Sequence, residues 1–232
     1  IDCVSRIGDV IAVAPAEPHS GQSAAFTVNA PLRILRQPDY NGAKMYAVTG
    51  TPVDCIKLAM HHIVPRRPDM MLSGVNHGSN AGNSEIYSGT MGAAFEACMQ
   101  RIPAVGYSLL HHAMDADFSQ TLPYITSITE KVLANGLPQG ICLNVNFPSR
   151  VAIAGARVCR SARSHWTEEY HEYLDPHGKP YWWLTGSMVN DEPESTDTDL
   201  YWLDRRYASI VPVCPDRNVL SAIPALASLL DK

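Results

Sequence analysis

The chain has 232 residues, of which 46% are hydrophobic, and this suits one large domain or one domain with an appendage. Its formal net charge of -5 excludes the Lys and Arg excess that neutralises a phosphate backbone, so no nucleic-acid polymer is expected as a partner. No apolar run approaches the roughly 18 residues of a membrane span, and no leader follows Ile1, so we expect a cytoplasmic protein without a membrane partner.

The first predicted elements are strands. The apolar run Val10–Ala14 ends at Pro15 and predicts a strand buried on both faces of a parallel sheet. Two further strands, Leu32–Leu35 and Lys44–Val48, flank Asn41-Gly42, and their spacing predicts a connection longer than a two-residue turn.

A helix start follows at Thr51, with Pro52 at the first helical position and Asp54 facing the N-terminal dipole. Apolar residues continue at helical spacing until Pro65. The later segments alternate in the same way: strand Met70–Leu72, helix Met91–Met99, strand Ile102–Tyr107, helix Leu122–Val132 and strand Ile141–Val145. This rhythm predicts an α/β fold with a doubly wound, mainly parallel sheet.

The alternation fades beyond residue 150. An aromatic and charged stretch between Trp166 and Trp183 predicts an extended arm or hairpin, and Tyr207–Val213 and Ala222–Leu230 predict a last strand and helix. We therefore divide the chain into a core, residues 1–150, and an extension, residues 151–232.

The six cysteines show no Cys-x-x-Cys pair and stand in apolar contexts. This pattern predicts reduced, buried thiols and argues against zinc ligands or a disulfide frame. The His pairs at residues 61–62 and 111–112 lack a Cys or carboxylate at metal-ligand spacing, so they carry no metal prediction.

The segment Ser73–Asn83 and the following Ser88-Gly89-Thr90 are the chain's most unusual sequence. Ligands of open α/β sheets bind at loops that follow the strands, where this stretch lies. Ser88, Gly89 and Thr90 precede an apolar helix, so their hydroxyl and N–H groups suit a phosphate, although simple helix capping also accounts for them. The three Asn and three Gly of Ser73–Asn83 exceed what a turn needs and favour a ligand.

Asn76 and Ser20 are candidate metal ligands, because a carbonyl and a hydroxyl oxygen suit Mg²⁺ or Mn²⁺. Two neutral ligands do not hold a divalent cation firmly, and Glu17 and Glu85 are the only carboxylates in these loops. His19 and His77 are weighed as acid–base groups, but a loop His is more often a solvated bystander.

Several motifs together resemble the survival protein SurE family of metal-dependent nucleoside-monophosphate phosphatases. The matching residues are Ala14-Pro15 with Ser20-Gly21-x-Ser23, Gly50-Thr51-Pro52-x-Asp54-Cys55, Ser73-Gly74-Val75-Asn76-x-Gly78-x-Asn80, Tyr87-Ser88-Gly89-Thr90, Ile102-Pro103-Ala104 and Asn144-Val145-Asn146-x-Pro148. They run in order through residues 9–148, whereas the likeness is looser in the extension.

The resemblance implies a Rossmann-like core whose extension assembles a homodimer or homotetramer. It implies hydrolysis of 5′- or 3′-nucleotides with a divalent metal, Mg²⁺ or Mn²⁺, and therefore a 5′-nucleotidase acting on nucleoside monophosphates. Ser20 and Asn76 match metal ligands of the family, and Ser88, Gly89 and Thr90 match the turn beside the phosphate. Thr51 and Asn80 fall in loops expected to surround the substrate.

The start of the chain departs from the family pattern. Family members open with a strand that leads into Asn-Asp-Asp-Gly, whose carboxylates are the main metal ligands, and this sequence contains no such motif. Asp2 and Asp9 are poor substitutes, so we expect the first strand and the catalytic Asp pair upstream of Ile1.

Two other functions stay open. If no acidic loop precedes Ile1, the chain is a nucleotide- or phosphate-binding module without catalysis. An interaction protein that works through its aromatic arm is the third possibility, although the arm would more economically serve self-association.

Overall fold

Strands and helices alternate along the chain up to Phe147 in the computed structural model, which describes residues 1–113 and 115–231. The elements here are β1 (Ile11–Pro15), β2 (Ile34–Tyr40), β3 (Ala43–Val48), α1 (Pro52–Leu58), β4 (Met71–His77), α2 (Gly89–Met99), β5 (Ala104–Leu109), α3 (Leu122–Asn135) and β6 (Cys142–Phe147). A π-helical turn over Ala59–Ile63 extends α1, and a 3₁₀-helix over Gly82–Tyr87 precedes α2. The predicted order of strands and helices is confirmed.

The later elements form the extension. They are β7 (Gly155–Val158), β8 (Ser164–Thr167), β9 (Tyr170–Leu174), β10 (Pro180–Leu184), β11 (Ser187–Asn190), α4 (Asp199–Asp204), β12 (Tyr207–Val213) and α5 (Ile223–Leu230). β8 pairs with β11 and β9 pairs with β10, both antiparallel, and these four strands build the predicted arm.

The central sheet has the strand order β4-β5-β6-β12-β7. β4, β5 and β6 are parallel, β12 runs antiparallel to β6, and β7 is parallel to β12. Val105, Tyr107, Val145 and Phe147 point to one face of this sheet, where they form a core with α3. The other face, with Ala104 and Cys142, packs against α2. The predicted doubly wound, mainly parallel α/β sheet is confirmed.

The extension contributes two strands to this central sheet. β12 lies between β6 and β7, so the division of the chain at residue 150 passes through the sheet itself. The arm strands β9 and β10 are exposed along their whole length, and α5 has no buried residue. Within the described ranges, none of the helices is both long and apolar enough to cross a bilayer.

A second sheet contains β1, and this corrects one prediction. β1 pairs in parallel with β3, and β2 pairs antiparallel on the other side of β3. Ile11, Ala12 and Val13 remain partly exposed, so β1 is not buried on both faces of the parallel sheet. The reason is its position, since β1 lies at one edge of a three-stranded sheet.

The β2–β3 connection corrects another prediction. β2 continues to Tyr40, which pairs with Ala43, so Asn41-Gly42 alone makes the turn. Asn41 and Gly42 have φ angles of 47° and 80°, the left-handed pair that a tight hairpin turn requires. The expected longer connection is therefore wrong, because the Pro38-Asp39-Tyr40 segment is strand despite its turn-like composition.

Candidate functional site

The loops at the carboxyl ends of β1, β3 and β4 carry the predicted site residues. The parallel pairing of β1 with β3 places Pro15 beside Val48, and the Ala16 N–H donates to the Val48 carbonyl at 2.8 Å. The loops that start at Ala16 and Thr49 therefore leave the sheet at the same edge. This edge is where open α/β sheets bind their ligands.

The loop of residues 16–23 packs against the start of α2. The Ser23 N–H donates to the Tyr87 carbonyl at 3.0 Å, and its hydroxyl donates to the Ile86 carbonyl at 2.6 Å. A Cβ on Gly89 would lie 3.5 Å from the His19 carbonyl oxygen, so the two backbones approach closely there. The structure thus brings Ser20, which is exposed, close to the predicted phosphate turn.

Ser88 is the N-cap of α2. Its hydroxyl accepts a hydrogen bond from the Met91 N–H at 3.1 Å, so the capping interpretation of this residue is correct. Capping leaves other groups available, because the first N–H groups of a helix lack acceptors within the helix. Gly89 and Thr90 occupy these positions in an eleven-residue helix, and their N–H groups and the helix dipole suit an anion.

Asn76 lies near the end of β4 and is half-buried. It pairs in register with Ser108 of β5, so residues 73–77 are strand where the sequence predicted a loop. Its side-chain amide nitrogen donates to the Gly78 carbonyl at 3.0 Å. Because this bond uses the nitrogen, the amide oxygen Oδ1 is the atom left to accept or to ligate.

The other two Asn residues of Ser73–Asn83 serve internal hydrogen bonds. Nδ2 of Asn80 donates to the Ser108 hydroxyl at 2.7 Å, and Asn80 is only 4% exposed. Asn83 donates from Nδ2 to the carbonyl of Ser164 in the arm. The richness in Asn, which we attributed to a ligand, thus has a structural explanation for these two residues.

Thr51 completes a capping box with Asp54. The Asp54 N–H donates to the Thr51 hydroxyl at 3.2 Å, and the Thr51 N–H donates to the Asp54 carboxylate at 2.9 Å. The Thr51 hydroxyl also donates to the Ala25 carbonyl at 2.7 Å, which fixes the loop that follows Ser23. The structure therefore places Thr51 behind the β1 loop, where it is 7% exposed.

Asp54 accepts hydrogen bonds from both Thr51 and Thr27 and so connects the start of α1 to the loop that follows Ser23. Burial raises the pKa of its carboxyl, but hydrogen bonds from Thr27 and Thr51 outweigh burial and bring the pKa below its usual value. The Thr27 N–H and hydroxyl both donate to this carboxylate, at 3.0 and 2.7 Å. The ionised form is thus the one that the loop stabilises.

Ser108, Asn144 and Asn146 form a buried polar layer under the segment that follows β4. They lie on the α2 face of β5 and β6, and none has any exposed surface. The Asn80 N–H donates to Oδ1 of Asn146 at 2.8 Å, and Asn144 donates through Nδ2 to the Asn80 carbonyl at 2.8 Å. This layer holds the main chain of the segment at Asn80.

Glu85 extends the polar layer toward α2. Asn144 donates to its carboxylate at 3.1 Å. Burial raises the pKa of Glu85 above its usual value, although the Asn144 hydrogen bond opposes this effect. Asn144 and Asn146 belong to the family motif at residues 144–148. Two Asn residues two positions apart in an apolar strand point to the same face of the sheet, so this layer could have been predicted from the sequence.

Asp199 supports the site, and sequence reasoning did not identify it. Its side chain has no exposed surface, and its Oδ2 accepts a hydrogen bond from the Gly82 N–H at 2.8 Å. Asp199 and Gly82 are 117 positions apart in sequence, and no local sequence pattern predicts a contact between residues so far apart.

His19 and His77 do not form an acid–base pair with a carboxylate. Nδ1 of His19 lies 2.8 Å from the Gln22 side-chain oxygen, and Nδ1 of His77 lies 3.1 Å from the Ala113 carbonyl. His77 also contacts the ring of Phe118 edge to face. The structure gives both rings local partners, which fits the bystander interpretation.

The fit to a divalent metal is partial. The hydroxyl of Ser20 and the amide oxygen of Asn76 are hard donors of the kind that Mg²⁺ and Mn²⁺ take. Both are uncharged, and residues 1–113 and 115–231 contain no group of three or more His, Cys, Asp or Glu side chains placed to hold a metal ion. Such an ion therefore needs charged ligands in addition to these two.

Comparison with known proteins identifies the family of this chain. The sequence profile described as Survival protein SurE matches residues 2–168. The 5′-nucleotidase SurE of Phocaeicola vulgatus is 47% identical over 206 residues, which cover 89% of this chain and 80% of the relative. The 5′-nucleotidase SurE of Christiangramia forsetii is 44% identical and covers 98% of this chain and 89% of its own length.

A solved structure extends the likeness through the arm and α5. The crystal structure of the SurE protein from Aquifex aeolicus matches with a TM-score of 0.83 at 28% identity, and the match covers 98% of this chain and 91% of that one. The family resemblance derived from the motifs is thereby confirmed. The chain belongs to the Survival protein SurE family.

Proposed function

We propose that this protein is a 5′-nucleotidase, a phosphomonoesterase that hydrolyses nucleoside monophosphates to nucleoside and phosphate. The observation that carries the proposal is the packing of the Ser20 loop against Ser88-Gly89-Thr90 at the start of α2. This packing supports the proposal because the Ser20 hydroxyl, a candidate metal ligand, and the free N–H groups at the start of α2 then lie near each other. The curated relatives named 5′-nucleotidase support the same activity.

The phosphate is proposed to lie against Ser88, Gly89 and Thr90. In the reaction a water oxygen bonds to phosphorus, the phosphorus–ester oxygen bond breaks, and the nucleoside oxygen leaves with a proton. The N–H groups of Gly89 and Thr90 are fixed before the substrate arrives, so they stabilise phosphoryl charge without rearrangement. No residue of the described chain is assigned as the catalytic acid or base.

Mg²⁺ or Mn²⁺ is the proposed cofactor, with Ser20 and Asn76 as two of its ligands. When bound, such an ion draws charge from phosphoryl oxygens and orients the group for attack. The Asn76 amide is suited to this role because its hydrogen bond to Gly78 sets the direction of Oδ1. Thr51 and Asn80 are proposed to shape the substrate loops from behind, through their bonds to Ala25 and Ser108.

Phosphate release from nucleoside 5′- and 3′-monophosphates, measured on the full-length gene product with Mg²⁺ or Mn²⁺, tests the activity. We expect metal-dependent release that Asn76→Ala lowers at least about tenfold while raising the Mn²⁺ concentration needed for half activity. Asn135→Ala is the matched control, because Asn135 is an exposed residue at the end of α3. Absence of release from every nucleotide would overturn the proposal, and nucleotide binding without release would favour the non-catalytic binding module.

We propose that a second copy of the chain covers the arm and α5, giving a homodimer or homotetramer. Trp182 and Trp183 of β10 are 58% and 66% exposed, and Leu229 of α5 is 69% exposed. Large exposed apolar side chains of this kind mark interaction sites, and identical chains are the commonest partners. The proposed role of residues 151–232 is therefore assembly as well as completion of the central sheet.

A cytoplasmic location is also proposed. Cys55, Cys98 and Cys142 are buried free thiols, as predicted, whereas Cys3 and Cys159 are half-buried and Cys214 is exposed, so the predicted burial holds for three of the six. Free thiols of this number suit a reducing compartment. Fractionation of the native host, followed by detection of the protein, tests the location.

A further inference from the structure

The main chain between Asn76 and Ser88 joins the two halves of the proposed site. One end carries the candidate metal ligand and the other begins the phosphate turn. The position of the candidate metal ligand Asn76 relative to the phosphate turn at Ser88 thus depends on how firmly the connecting residues 78–87 are held. Hydrogen bonds from outside the segment hold its main chain, among them those at Asn80, Gly82 and Asn83 and those from Ser23 to Ile86 and Tyr87.

The bonds at Gly82 and Asn83 come from the C-terminal extension. Oδ2 of Asp199 accepts from the Gly82 N–H at 2.8 Å, and the Ser164 hydroxyl accepts from the Asn83 N–H at 2.9 Å. Gly82 has a φ of 56°, and a Cβ there would lie 2.4 Å from the Ser164 hydroxyl oxygen. The loop main chain therefore rests directly on the base of the arm, with no room for a side chain between them.

Asp199 is itself rigidly held. Its Oδ1 accepts from the N–H groups of Ala162 and Leu200, at 2.9 and 2.8 Å, and its own N–H donates to the Arg160 carbonyl at 2.9 Å. A single carboxylate thus ties together the site loop, the segment that leads into β8 of the arm and the start of α4. A fully buried carboxyl group is costly unless hydrogen bonds compensate it, and here the N–H groups of Gly82, Ala162 and Leu200 do so.

We propose that Asp199 is a positioning residue whose carboxylate fixes the main chain between Asn76 and Ser88 and so sets the geometry of the nucleotide site. The inference rests on the proposed function for its catalytic consequence. The extension then supports the active site from within each subunit, in addition to assembling subunits. In this proposal Asp199 acts through the Gly82 N–H and not through direct contact with metal or phosphate.

Asp199→Asn isolates the contact with the loop. Two N–H donors face Oδ1, so the amide oxygen of Asn occupies that position and the NH₂ group faces the Gly82 N–H. Two donors then oppose each other, and the loop bond is lost while the bonds to Ala162 and Leu200 remain. Asp197→Asn is the matched control, because Asp197 is exposed and binds Arg160 away from the loop.

The first measurement is amide hydrogen exchange, which does not depend on activity. For Asp199→Asn we expect exchange in residues 80–88 to rise at least about tenfold, with α3 unchanged as an internal reference. Asp197→Asn should leave the exchange in both regions as in the wild type. Unchanged exchange in residues 80–88 of folded Asp199→Asn overturns the proposal.

The second measurement is steady-state kinetics with a nucleoside 5′-monophosphate. We expect kcat to fall at least about tenfold in Asp199→Asn, with KM changing less than about threefold, since misplaced groups affect the transition state most. A fall in kcat only in proportion to the folded fraction, with KM unchanged, contradicts a positioning role. If the wild type releases no phosphate, the proposed function fails, whereas the exchange data still decide whether Asp199 fixes the loop.

Ser164→Ala serves if Asp199→Asn does not fold. It removes the hydroxyl that accepts from the Asn83 N–H and leaves the buried carboxylate intact. Faster exchange in residues 80–88 together with a lower kcat supports fixation of the loop by the extension. Wild-type exchange and kcat in folded Ser164→Ala overturn it.

Discussion

The side-chain amide of Asn144 donates to the main-chain carbonyl of Asn80 at 2.8 Å, across a region where both residues are almost fully buried. The same nitrogen donates to Glu85 at 3.1 Å, and Oδ1 of Asn144 accepts from Asn146 at 2.9 Å. One side chain on the central sheet thus satisfies two points of the segment that leads into α2. A buried network of this kind specifies one loop conformation, because each unpaired member would be costly.

Removal of this amide should destabilise the protein strongly. Asn144→Ala leaves the Asn80 carbonyl and the Asn146 amide without their partner and opens a small cavity, so we expect the free energy of unfolding to fall by about 3 kcal/mol. Urea denaturation followed by circular dichroism measures the change. Asn135→Ala removes an exposed side-chain bond to Lys131 and should change it by no more than about 0.5 kcal/mol. Equal effects of the two variants would contradict a special role for the buried network.

The contact between α2 and the Ser20 loop gives another prediction. A Cβ on Gly92 would lie 2.4 Å from the Ser23 carbonyl oxygen, a main-chain atom that cannot simply rotate away. Ala is ordinarily better than Gly inside a helix by about 1 kcal/mol. Gly92→Ala should nevertheless lower the free energy of unfolding, by about 2 kcal/mol, and reduce phosphate release because the loop is displaced.

Gly8→Ala is the control for this substitution, since a Cβ on Gly8 meets nothing within 4 Å. Denaturation and phosphate release are measured on both variants. If Gly92→Ala raises stability and leaves release unchanged, the loop does not depend on close packing against α2.

Much of the fold was predictable because its signals are local. The capping box at Thr51 and the alternation of apolar strands with amphipathic helices each depend on residues close in sequence. β1 and the Asn41-Gly42 turn were misjudged because burial and strand length depend on neighbouring strands. The pairing of Tyr40 with Ala43, for example, extends β2 through Pro38.

The candidate site was only partly predictable for the same reason. Ser88 at the start of α2 follows from local sequence, as does the phosphate-binding potential of the N–H groups after it. Asn80 and Asn83 looked like ligand residues, but their partners, Ser108 and Ser164, lie on other elements. Composition reveals that a segment is unusual, whereas only the tertiary fold shows whether a ligand or the protein uses its polar groups.

The arm should control assembly. Trp183 of β10 is 66% exposed, so Trp183→Glu places a charge in the proposed interface while disturbing the folded monomer little. Light scattering coupled to size-exclusion chromatography should show the wild type as a dimer or tetramer and the variant at a lower mass. Met99→Glu, on the exposed end of α2, is the control and should keep the wild-type mass. A monomeric wild type would contradict the assembly proposal.

Asp54 should give the protein a specific sensitivity to acid. Its pKa in the folded state is below the usual 3.8, so the folded protein binds this proton less readily than the unfolded chain. Its stabilising contribution is therefore complete above about pH 5 and is lost as the pH falls through the lower, folded pKa. We expect the difference in unfolding free energy between wild type and Asp54→Asn to shrink as the pH falls from about 5 to 2.

Asp199 should show the opposite pH dependence. Burial raises the pKa of its carboxyl despite three main-chain donors, so the folded state holds this proton more tightly than the unfolded chain. Its ionisation then lowers stability as the pH rises from about 4 through the folded pKa. We therefore expect the difference in unfolding free energy between wild type and Asp199→Asn to change with pH in the direction opposite to that for Asp54→Asn. Urea denaturation at each pH measures both differences. If the two differences in unfolding free energy change with pH in the same direction, the pKa values of Asp54 and Asp199 are not shifted in opposite directions.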